Sequence, residues 1–101
     1  MYIYNVTIQL AWGIHENWLQ WMKTKHIPEV MATGCFTDFR FVRVLEMDET
    51  EGPTYATQYF AASKEDYDRY IEHHATALRK DALDVWGNQF VGFRSLMQVV
   101  N

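Results

Sequence analysis

From Tyr2 to Leu10 the chain alternates with period two: Tyr2, Tyr4, Val6, Ile8 and Leu10 fall on one face, Ile3, Asn5, Thr7 and Gln9 on the other. Such alternation marks a β-strand. From about Ile14 the period lengthens, and Ile14, Trp18, Trp21 and Met22 follow the i, i+4, i+7, i+8 rule of a helix with one apolar face. Pro28 has no N–H to donate and disfavours helical geometry at Ile27, so this helix is expected to break near His26. The same proline suits the first turn of a second short helix through Ala32, which Gly34 can end.

Residues 36–47 alternate again, with Phe39, Phe41, Arg43, Leu45 and Met47 opposite Asp38, Arg40, Val42, Val44 and Glu46. The turn-rich run Asp48-Glu49-Thr50-Glu51-Gly52-Pro53 leads into a third strand over 54–62, paired to the second as a hairpin. Ser63-Lys64-Glu65-Asp66 reads as a helix start, with a Ser side chain able to accept from a free N–H and carboxylates at the positive end of the helix dipole. The helix that follows carries Tyr67, Tyr70, Ile71, His74, Leu78, Ala82 and Val85 on one stripe, and Gly87-Asn88 stops it before a fourth strand over 90–100. The order is β-α-β-β-α-β in a single domain spanning 1–101, without linker or low-complexity segment.

Right-handed crossovers place both helices on one face of an antiparallel four-stranded sheet, giving an α+β, ferredoxin-like fold. The other face of a soluble monomer should read polar. Instead Phe39, Phe41 and Leu45 lie opposite Val42 and Val44, and Phe90 and Leu96 lie opposite Val91, Phe93, Met97 and Val99. Large apolar groups on both faces imply a covered second face, met most simply by a homodimer packing sheet on sheet.

The 101 residues carry nine Lys plus Arg against 13 Asp plus Glu, a net charge of −4. Cations so few and scattered argue against nucleic acid. The third strand, Thr54-Tyr55-Ala56-Thr57-Gln58-Tyr59-Phe60, has stacking aromatics but neither the glycine nor the cations of an RNA-recognition domain of the same element order. No run approaches the length of a membrane helix, and residues 1–5 do not read as a signal peptide. A lone cysteine, Cys35, forms no intramolecular disulfide, which fits a cytoplasmic protein.

Trp18-x-x-Trp21, His26-Ile27-Pro28-Glu29 and the two-sided strands resemble the dimeric α/β-barrel superfamily. More closely, Tyr4-Asn5-Val6-Thr7, His26-Ile27-Pro28-Glu29-Val30 with Thr33-Gly34, and Thr54-Tyr55-Ala56-Thr57-Gln58-Tyr59 resemble a family of short bacterial proteins catalogued as a domain of unknown function. The resemblance implies the dimeric barrel and no particular activity. Superfamily relatives include cofactor-free monooxygenases, lactone isomerases, and dehalogenase-like and decarboxylase-like enzymes, and a shared fold does not choose among them.

His26, at the expected helix break, is the leading acid/base candidate, set against a helix-end histidine that satisfies terminal carbonyls. Some superfamily members carry a His two residues before a Pro at a similar point. Asn5, Arg43, Gln58, Tyr59 and Arg94 are polar groups set in apolar strands, and each must find a partner across a dimer or in a wet cavity. In the cavity reading Tyr59 and Asn5 orient a ligand, Arg43 or Arg94 anchors its charge, and Trp21 lines the wall beside its core role. The four histidines do not have metal-ligand spacing: adjacent His73 and His74 point about 100° apart on a helix. Two functional readings follow, a small-molecule enzyme of cofactor-free type acting on a small apolar or aromatic acid or phenol, and a non-catalytic ligand-binding or homodimeric assembly protein.

Overall fold

A computed structural model describes all 101 residues. Four strands, β1 (Tyr2–Leu10), β2 (Asp38–Arg43), β3 (Thr54–Ala61) and β4 (Phe90–Gln98), form one antiparallel sheet in the order β2-β3-β1-β4. The central strand β1 pairs with β3 through Tyr4↔Tyr59 and with β4 through Tyr4↔Leu96. Residues directly opposite each other share a face, so this register sorts the whole sheet. Tyr4, Val6, Ile8, Thr57, Tyr59, Gly92 and Arg94 turn to one side; Ile3, Asn5, Thr7, Gln58, Phe93 and Met97 turn to the other.

A 3₁₀ turn (Trp12–Ile14) leads into α1 (His15–Trp21), and α2 (Ile27–Ala32), α3 (Lys64–His73) and α4 (Ala75–Trp86) complete the helical layer. Trp18, Met22, Ile27, Val30 and Tyr70 bury against Tyr4, Tyr55 and Tyr59 of the sheet. The core is built largely of stacked rings, Tyr4 lying within about 6 Å of Phe36, Tyr59, Tyr67 and Tyr70. Ser63 caps α3, its hydroxyl accepting from the Asp66 N–H at 3.2 Å. Gly34 follows α2 at φ +76°, a left-handed turn that favours glycine. No helix is long and apolar enough to cross a membrane.

Three expectations are corrected. The first helix does not break at His26: residues Met22–His26 form a π-helical turn that runs straight into α2. The Ile27 N–H donates to the Met22 carbonyl five residues back, and the wider turn accommodates the proline ring that would strike a carbonyl four residues back. The second helical segment is two helices divided at His74, whose backbone leaves helical geometry at φ −128°. The phase is reset there, so Val85 turns outward while Ala75, Arg79, Ala82 and Trp86 face in. The second strand is also shorter, because residues 44–53 leave the ladder after Arg43.

Candidate functional site

Between the sheet and the helices lies an apolar cavity of about 310 Å³. Its floor is the helix-side face of the sheet: Tyr4, Val6 and Ile8 of β1, Thr57 and Tyr59 of β3, and Phe90, Gly92 and Arg94 of β4. Gly92 sits opposite Ile8, where a Cβ would come within 2.6 Å of the Thr7 carbonyl oxygen, so strand spacing and cavity both need a residue without a side chain here. The roof comes from Met22 and His26, from Tyr70 of α3, and from Leu78, Arg79, Ala82 and Leu83 of α4. Twelve of the seventeen lining residues are hydrophobic, and none is Asp or Glu.

The π-helical turn explains how His26 reaches this space. A turn of more than four residues brings Met22 and His26 onto one face, and both line the cavity. The His26 ring stacks on Trp21 at 4.8 Å, and its Nδ1 is buried without a partner. Burial holds the His26 pKa below its ordinary value; Glu29 and Asp81 pull upward, and Lys25 adds to the lowering. The imidazole is therefore neutral at neutral pH, able to take a proton.

At the sheet, the Tyr59 hydroxyl is also buried without a partner. Burial raises its pKa far above the ordinary tyrosine value, reinforced by Tyr70 and Tyr4, so the hydroxyl stays protonated. Arg79 donates from Nη2 to the Tyr4 hydroxyl at 3.1 Å, while its Nε is buried and unpartnered. Arg94, exposed to solvent on the edge strand β4 and directly opposite Val6, completes the polar lining at the cavity's open side.

The structure brings together His26, Tyr59 and Arg94 of the candidates read from sequence, and separates the rest. Asn5 and Gln58 pair across β1 and β3 on the opposite face, Asn5 donating to Thr7 Oγ1 at 2.9 Å. Arg43 lies on the helix side but at the far end of β2, in an ion pair with Glu49 at 2.8 Å and beside the rings of Trp12 and Tyr55. Trp21 stands behind His26 and meets Trp86 edge-on, outside the cavity lining. Arg79 was not among the residues read from sequence. A signal existed, since Ala75, Arg79, Ala82 and Trp86 follow helical spacing and form the inward face of α4.

Solved structures share this architecture. An ethyl tert-butyl ether D (EthD) family protein from Bacillus halodurans C-125 matches 99% of this chain and 100% of its own at 13% identity, with a TM-score of 0.70. Two proteins from an uncultured marine organism, described as dimeric ferredoxin-like proteins, match at TM-scores of 0.73 and 0.72. Their identities are 16% and 13%, and the matches cover 99% and 100% of this chain and 95% and 96% of theirs. At such identities the likeness establishes the ferredoxin-like fold. No curated protein matches the chain. Residues 1–100 match the family described as a domain of unknown function, DUF4286, and the chain therefore belongs to that family.

Proposed function

We propose that the chain forms a homodimer, resident in the cytoplasm, whose subunits each bind a small apolar or aromatic acid or phenol in the cavity between sheet and helices. There they carry out proton transfer of cofactor-free type. The observation that carries this reading is the neutral, desolvated His26, braced on Trp21, with a buried and unpartnered Nδ1, in the lining of an apolar cavity. In the proposed step the imidazole takes a proton from an acidic C–H of the ligand and, after exchange with solvent, returns a proton to that carbon. Between the two transfers the Tyr59 hydroxyl donates a hydrogen bond to the charge left behind.

Dimerisation uses the bare sheet face, where Val91 and Phe93 are 67% and 61% exposed and which Met97 and, on the far edge strand, Val42 share. The structural relatives described as dimeric support this arrangement without supplying a ligand or an activity. A non-catalytic assembly protein is the second reading, favoured by the placement of Asn5 and Gln58 on the open face rather than in the cavity.

Native mass spectrometry of gently purified protein tests the first reading. A mass of twice 12.0 kDa plus a small organic increment is expected. Incubated in D₂O, the identified compound should acquire carbon-bound deuterium, with His26→Gln slowing exchange by roughly 10²–10⁴-fold. A dimer that carries no ligand and takes up none from a panel of small acids and phenols overturns it in favour of the assembly reading. Exchange indifferent to His26→Gln removes the catalytic role.

A further inference from the structure

The polar groups of the cavity are unbalanced in one direction. Of the nine Lys and Arg residues, Lys25, Arg40, Arg43, Lys64, Arg69 and Lys80 each pair with a carboxylate, which leaves Lys23, Arg79 and Arg94. Two of these three line the same apolar cavity, in a chain whose net charge is −4. Carboxylates outnumber cations, yet none lines the cavity to meet these two.

The buried donors point the same way. Arg79 Nε and the Tyr59 hydroxyl both have an N–H or O–H to give and nothing to receive it. Buried donors without acceptors are costly, and an ordered water or a bound group commonly accepts from them. Arg79 is held by its bond to the Tyr4 hydroxyl, so its fork is oriented. Tyr4, Arg79 and Arg94 are the charged and titratable groups felt at Tyr70, together with Cys35, whereas Glu29, Asp81 and Lys25 are those felt at His26. Both guanidiniums therefore act at Tyr70 in the cavity roof, and neither is among the charges that act at His26.

The geometry points to a carboxylate subsite made by Arg79 and Arg94, so that the ligand is a small monocarboxylic acid with an apolar body. This inference rests on the cavity being the ligand site proposed above, and it selects the acid over the phenol. A planar guanidinium fork matches a carboxylate in two parallel hydrogen bonds. A predominantly hydrophobic lining and a volume near the low end of small-molecule pockets fit a compact apolar body and disfavour a strongly hydrated free phosphate.

Isothermal titration of the intact protein with phenylacetate and octanoate, each beside its methyl ester, and with inorganic phosphate tests the assignment. At least one acid should bind about 10-fold or more tightly than its ester. Arg79→Gln and Arg94→Gln should each weaken that acid by about 10-fold while leaving its ester unchanged, as loss of a charge-assisted hydrogen bond requires. Arg79→Lys keeps the charge without the fork and should give an intermediate loss; it also serves where the glutamine variant fails to fold. Esters binding as well as acids, or acid binding indifferent to both arginines, overturns the carboxylate subsite while the cavity remains a ligand site. Phosphate binding as tightly as the acids overturns the apolar-acid assignment. Failure of every acid and every ester to bind overturns the subsite and the cavity reading together.

Discussion

His26 concentrates the residue-scale chemistry. Its ring is desolvated by Trp21 and the cavity wall, and desolvation outweighs the upward pull of Glu29 and Asp81. A histidine whose folded pKa lies below its unfolded value binds fewer protons when folded, so its contribution to stability is complete above the unfolded pKa, about 6.5. That contribution is lost as pH falls from there towards the folded pKa. The melting temperature should therefore drop as pH falls below about 6.5, and His26→Gln should reduce that drop. Equal pH dependence in the two proteins would refute the role given to His26 burial. Residue type and local spacing single out His26, Tyr59 and Arg94 as polar groups at a helix junction and within apolar strands. They could not place Arg43, whose charge is spent on Glu49 in the connector that follows its own strand.

At the scale of elements, local sequence was most informative where a side chain acts on its own backbone. Ser63 accepts from the Asp66 N–H as its position ahead of Lys64-Glu65-Asp66 implies. Ser63→Ala should cost about 1 kcal/mol, lowering the melting temperature by roughly 4–8 °C in a domain of this size. Thermal denaturation measures this directly, and an unchanged midpoint would mean that packing alone fixes the start of α3. Strand alternation in β1, β3 and β4 was equally legible, because period two follows from the pleat. The π-helical turn was not legible. Pro28 signals that a four-residue hydrogen-bond pattern fails, but whether the helix then ends or widens depends on what its flanks pack against. Here Met22 and Ile27 are both buried in one continuous core, so the helix widens and continues.

For the whole molecule, the sheet has one face under the helices and one face bare. Val42, Val91, Phe93 and Met97 give the bare face its apolar character around a centre of Asn5, Thr7, Gln58 and Ser95. If two copies meet there, Met97→Asp, opposite Ile3 on that face, should shift sedimentation from dimer to monomer. Val85→Asp, exposed on α4 beyond the sheet, should leave the dimer intact. A wild-type chain that sediments as a monomer would remove the homodimer.

The order and period of the elements, the α+β class, and the presence of more apolar surface than one sheet face can bury are all readable along the chain. Each follows from interactions a few residues long or from counting apolar positions. Tertiary structure alone decided which polar residues meet. Strand register put Tyr59 and Arg94 on the helix side and Asn5 and Gln58 opposite. The packing of α4 over the sheet turned Arg79 inward, and the widened turn before Pro28 brought His26 to the same cavity. Register and helix phase are set by packing between segments far apart in the chain, and a shift of one residue in either moves a side chain from one environment to another.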